Sequence, residues 1–133
     1  MLILQRLWKA TSLAWMTAEA WLALVIFDLA IVAGFTHVHR YIKRYRPKNR
    51  RTRAIADVIW AVEEACVWYV KRAACLQRSV VATWLLRRNG IPAELIIGFR
   101  PVPFESHAWV EVDGMVANDL PQYKKVFSVL DRL

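Results

Sequence analysis

Cys75, His107 and Asp119 are the residues of this chain whose types and spacing suit covalent catalysis. A cysteine hydrolase needs a thiolate, a base that shuttles a proton, and a group that fixes the tautomer of the base. Cys75 falls at the start of a predicted helix. Exposed backbone N–H groups and the helix dipole stabilise an anion there. An imidazolium close by lowers a thiol pKa further. The same N–H groups suit the oxyanion of a tetrahedral intermediate. A thioester route of this kind requires no metal and no organic cofactor.

The histidine and the aspartate must then meet. His107-Ala108-Trp109-Val110-Glu111-Val112 alternates as a strand, Asp113-Gly114 is a turn signal, and Met115 to Leu120 continues as a second strand. A tight two-residue loop would pair Val112 with Met115, setting His107 opposite Leu120 and turning Asp119 to the other face. A three-residue loop with Gly114 in the left-handed position pairs Glu111 with Met115 and sets His107 opposite Asp119. The second register is the one expected. Asp113, a rival carboxylate, then lies in the turn, and Asn118, a rival amide, points away.

Taken singly, these residues carry little. A lone cysteine at a helix start is usually a packed small hydrophobe, a lone strand histidine a satisfied structural residue, and Asp119 a loop-end carboxylate. What raises the signal is a helix-start cysteine followed by a hairpin that carries both partners.

The elements that position them follow from pattern. Ile55, Val58, Ile59, Val62, Cys66 and Tyr69 repeat at the helical period, predicting a helix over Thr52 to Val70. The Cys75 helix runs to Asn89 with Val80, Val81, Trp84 and Leu85 inward. Arg87 and Arg88 suit its negative end, Gly90 the position after its cap, and Pro92 stops it. Glu94 to Phe99 reads as a buried strand, Arg100 to Ser106 as a loop, and Pro121 to Leu133 as a short strand or helix. The fold class is α+β: N-terminal helices and a central Cys-bearing helix on a small antiparallel sheet. Residues 1–53 form an apolar helical segment and a basic connector, and 54–133 the core of what is expected to be one compact domain.

Composition bounds the rest. The chain is 57% hydrophobic with seven Trp and only 23% charged, which excludes disorder and leaves apolar surface to spare for a partner or a membrane. The net charge is +8, and eight cations with no acid fall between Arg40 and Arg53. That run reads as a solvated connector or as a clamp for anionic lipid or acidic peptide. Nucleic acid is disfavoured because no aromatic residues interleave a binding motif with the cations. His37 and His39 have no nearby third ligand, so no metal site is expected. Two cysteines nine apart, with no disulfide or metal framework, suggest a reducing, cytoplasmic setting. Leu13 to Phe35 is apolar and long, but Glu19 and Asp28 lie on roughly opposite helical faces. The segment is read as a helix packed into the protein or against a partner. The alternative is a membrane-associated helix with its basic flank in the cytoplasm.

Several stretches resemble the leader peptidases of lasso-peptide biosynthesis, which include the microcin-processing proteins and belong to the transglutaminase-like superfamily. They are Cys75-Leu76-Gln77-Arg78-Ser79, Trp84 to Ala93, Ile97-Gly98 and His107-Ala108-Trp109-Val110-Glu111. The resemblance covers roughly residues 54 to 120. It implies a transglutaminase-like cysteine peptidase fold with Cys75 as nucleophile, His107 as base and Asp119 orienting the base. Arg78 matches the family's arginine after the nucleophile, in a substrate-binding or structural role. The resemblance also implies cleavage of a leader from a ribosomally made precursor, before a separate ATP-dependent cyclase closes the core. With no evident winged-helix pattern in the first 53 residues, a separate leader-recognition protein is expected as partner. Two rivals stand beside this reading: an amide-transfer enzyme using the same triad, and a non-catalytic, membrane-associated scaffold of the biosynthetic assembly.

Overall fold

A computed structural model describes all 133 residues, Met1–Leu133. Along the chain lie α1 (Leu2–Ala33), α2 (Phe35–Arg44), α3 (Ile55–Val67), α4 (Cys75–Arg88), β1 (Ala93–Pro101), β2 (Phe104–Val112), β3 (Met115–Val116), α5 (Tyr123–Val126) and β4 (Ser128–Arg132). The strands make one antiparallel sheet in the order β3-β2-β1-β4. The architecture is α+β, as the patterning predicts.

Helix α4 occupies the centre, buried on almost every side. Val81, Ala82, Leu85 and Leu86 meet Met16, Ala20 and Leu24 of α1, Val58, Ala61, Val62 and Ala65 of α3, and Val110 and Val112 of β2. Val80 turns to a second cluster with Phe27, Val38, Ile42, Leu95, Ala108 and Leu133. Beyond the sheet, Ile96, Trp109 and Phe127 form a third. Alternation along β2 accounts for this division: Ala108, Val110 and Val112 face the helices, while His107, Trp109 and Glu111 belong to the opposite face.

Two boundaries differ from the sequence expectation. The stretch from Thr36 to Arg44, read as basic connector, is helical because Val38 and Ile42 have a core to enter. Only the part after Arg44 is extended, ahead of Pro47. It is strapped across the end of α4 by Lys48 N–H to Arg87 C=O and Thr52 N–H to Asn89 C=O, both 3.0 Å. Gly90 makes this possible: with φ of 79° and Arg50 C=O where a Cβ would stand, no other residue fits. Second, Arg100 to Ser106 is no loop. It forms the tip of the β1–β2 hairpin, with Pro101 and Pro103 at the end, where a missing N–H costs least.

Candidate active site

The site is built where the first turn of α4 meets β2 and the segment after β3. Cys75 is the first residue of α4, as predicted, with Ala74 at the N-cap and no side-chain cap. The first N–H groups of the helix therefore lack intrahelical partners. Cys75 is half-buried and packs against the cluster that holds Ala108, the neighbour of His107. One turn further along the same face, Ser79 Oγ donates to Ala108 C=O at 3.1 Å and fixes helix against strand.

His107 lies in the middle of β2, opposite Gly98 of β1. Its Nε2 is 2.8 Å from Asp119 Oδ2, and both side chains are mostly buried. The pairing was expected, but the register that brings it about was not. The turn is the tight two-residue form: Asp113 and Gly114 both have positive φ, and Val112 pairs with Met115. Continued straight, that ladder would send Asp119 to the wrong face. It does not continue. Ala117 N–H still reaches Val110 C=O, but the side chain of Asn118 accepts the Val110 N–H at 2.8 Å in place of backbone. Asn118 also donates to Ser79 Oγ at 3.1 Å. The chain bends there and delivers Asp119 to His107.

Asp119 is also tied to α4. Arg78 Nη2 stands 3.5 Å from its Oδ2, and Arg78 Nε stands 3.6 Å from Glu63 of α3. The guanidinium is thus engaged by two carboxylates. Burial pushes the Glu63 carboxyl above its usual range, with Arg78 opposing and Asp119 adding to the shift.

Aromatic neighbours of His107 escaped the sequence reading. Tyr123, Phe127 and Trp109 have ring centroids 4.5, 5.5 and 6.2 Å from the imidazole. The i, i+4 spacing of Tyr123 and Phe127 was the available signal. Gly98 admits the Trp109 ring, since a Cβ there would come within 2.8 Å of it. Trp109 in turn donates to buried Glu111, which Arg132 approaches at 3.3 Å. His107-Ala108-Trp109-Val110-Glu111 is therefore one packed unit. The structure joins His107 to Asp119 and Asp119 to α4, while thiol and imidazole are not hydrogen-bonded to each other. With Nε2 engaged by Asp119, Nδ1 is the nitrogen left for a proton transfer. His39, by contrast, pairs with Asp131 at 2.8 Å on another part of the surface.

The two free cysteines sit in different surroundings. Burial, with a smaller push from Glu63 and an opposing pull from Arg78, raises the Cys66 thiol to about 11. At pH 7 it is almost wholly protonated and unreactive. An alkylator such as iodoacetamide should label Cys75 about tenfold or more faster than Cys66. Peptide mass spectrometry after brief labelling checks this, and equal rates would count against an activated nucleophile.

The family model described as "Transglutaminase-like superfamily" matches residues 20–132. The chain belongs to that superfamily. Among curated proteins, it is similar to the microcin J25-processing protein McjB of Escherichia coli, with 42% identity over 59 residues. Those residues are 44% of this chain and 28% of McjB, so the match spans little more than a quarter of that relative. No solved structure matches.

Proposed function

We propose that this protein is a cysteine peptidase that removes the leader from a ribosomally made lasso-peptide precursor before macrocyclisation. The observation that carries the reading is the His107–Asp119 pair, held against the first turn of the Cys75 helix by Arg78. The likeness to a microcin-processing protein supports the substrate class.

In this mechanism His107 Nδ1 takes the proton of Cys75, and the sulfur attacks the scissile carbonyl. The backbone N–H of Cys75 helps bind the oxyanion. Collapse of the tetrahedral intermediate breaks the C–N bond, and the imidazolium protonates the leaving amine, which is the new N-terminus of the core. Water, deprotonated by His107, then hydrolyses the thioester and frees the leader acid. Asp119 holds Nε2–H throughout. Arg78 serves chiefly to position Asp119. The partners are the precursor, a separate leader-recognition protein and the ATP-dependent cyclase.

Amide transfer is chemically open to the same thioester if an amine replaces water. Incubation with a precursor peptide, with and without a recognition protein, followed by intact-mass measurement separates the two. Free leader acid plus free core is the expected result; a leader joined to an amine would assign transfer.

One observation favours the scaffold reading instead: the imidazole packs among Trp109, Tyr123 and Phe127 and makes no bond to the thiol. Catalytic contacts often tighten only when substrate binds. Asp119→Asn distinguishes the cases. The amide favours the wrong imidazole tautomer, so leader release should fall about 10²–10⁴-fold in a folded protein. An unchanged rate would support the scaffold.

A further inference from the structure

We propose that α1 and the basic strap beside it form a docking face for an anionic membrane surface, on which the protein lies without spanning the bilayer. This is independent of the peptidase reading.

From Ala10 to Ala33, α1 carries apolar side chains on both its inner and its outer face, with Glu19 and Asp28 its only charged residues. Its inner face, Met16, Ala20, Leu24 and Phe27, enters the protein core. Its outer face carries Trp15, Leu22, Ile26, Leu29 and Val32, each more than half exposed and spaced three, four or seven apart. The turns before Trp8 are exposed on all sides. A helix apolar on both faces needs a cover on the second. By length and hydropathy alone, α1 would suffice to cross a membrane.

The acids of α1 decide how it can meet one. Glu19 pairs with Arg88 of α4 at 3.1 Å. Asp28 pairs with Lys71 at 3.1 Å and accepts from Tyr69. Burial acts to raise the Asp28 carboxyl, but hydrogen bonds from Tyr69, Lys71 and Gln77 outweigh it and hold the group below its usual range. Both acids are therefore neutralised toward the domain, and the outer face from Ala10 to Ala33 presents no free charge. Crossing a bilayer would tear these pairs and the packing of Met16, Ala20 and Leu24 away from the protein. Lying in the interface keeps them all.

Charge chooses the surface. None of the eight cations between Arg40 and Arg53 takes part in an ion pair. Lys48, Arg50 and Arg53 line a recess with Trp15. Adjoining that recess at Glu19 and Arg88, Tyr41 of α2 borders an apolar groove of about 610 Å³ shared with Leu22 and Ile26. An apolar ridge rimmed by unpaired cations, with Trp and Tyr at its margins, matches the apolar interior and anionic headgroups of a lipid surface.

Cosedimentation of the full chain with phosphatidylcholine vesicles, with and without 30% phosphatidylglycerol, tests this. Binding to the anionic vesicles is expected, falling with added salt. Leu22→Glu with Ile26→Glu should weaken it about tenfold or more, and Arg50→Glu with Arg53→Glu should remove the preference for anionic lipid. Leu22, Ile26 and Arg50 are exposed and Arg53 is only half-buried, so circular dichroism should be unchanged. No cosedimentation, or retention equal to wild type in the Leu22→Glu, Ile26→Glu protein, would overturn the proposal. So would a lipid-free dimer in analytical ultracentrifugation that this variant dissociates, which would assign the ridge to a second copy.

Discussion

Cys75→Ala is expected to abolish leader release, by about 10³-fold or more, while the protein remains folded. The argument rests on what the side chain does and does not do structurally. Cys75 is half-buried at the rim of the second cluster and accepts no structural hydrogen bond. Truncating it removes one sulfur from a partly exposed site, a loss of about 1 kcal/mol or less. Its loss from the reaction is of another order, because no other group can form the thioester. Nucleophile removal in hydrolases of this logic leaves only the background supplied by binding and the oxyanion site. Intact-mass assay of a precursor, alongside thermal denaturation, separates the effects. A variant with wild-type melting and no product supports the nucleophile. Wild-type processing by Cys75→Ala would leave the pairing of His107 with Asp119 a structural matter and favour the scaffold.

How much of this was legible beforehand depends on the range of the interaction. The end of α4 is written locally, in Arg87, Arg88, Gly90 and Pro92, whereas its start at Cys75 follows Lys71 to Ala74, which hold neither a proline nor a capping side chain to announce it. The meeting of His107 with Asp119 was also reachable, since both lie near one turn. Its cause was not, because the bend depends on Asn118 replacing a backbone acceptor and on Ser79 lying 39 residues earlier. Asp-Gly is the strongest signal for a tight turn, and the structure adopts it. With a straight β3 the three-residue loop alone would set His107 opposite Asp119; the bend at Asn118 lets the tight turn reach the same pair. The aromatic surroundings of His107 come from a tail whose short α5 has too little periodicity to announce itself. For α1 the ambiguity is physical: a helix apolar on both faces reads the same whether its second face meets protein or lipid.

Arg87 shows the same limit with the largest expected effect on stability. In sequence it is a cation suited to the negative end of α4, a contribution of under 1 kcal/mol at a surface. In the structure it is buried, and its guanidinium donates to four carbonyls: Ala93 at 2.8 Å, Ile42 at 2.5 Å, Tyr45 at 3.0 Å and Leu133 at 2.7 Å. These belong to β1, the end of α2, the start of the strap and the residue after β4. One side chain thus ties the β1–β4 edge of the sheet to the end of α2 and the start of the strap. Arg87→Met keeps most of the aliphatic volume but takes the charged donor from four carbonyls, three of them in buried contacts, and only Leu133 C=O keeps a backbone partner there, the Leu95 N–H. Hydrogen bonds to a charged group contribute about 1.5–3 kcal/mol each, and an orphaned buried acceptor costs about 1–3 kcal/mol. Relaxation and water entry will recover part, so a loss of about 3–5 kcal/mol is expected, lowering Tm by roughly 10 °C or more. Arg87→Lys should recover only a fraction, because one ammonium cannot span carbonyls placed around a planar fork. Chemical denaturation of the three proteins measures this directly. A loss below about 1 kcal/mol for Arg87→Met would mean that packing of the four segments, rather than this charge, holds α2 and β4 against the helix that carries Cys75.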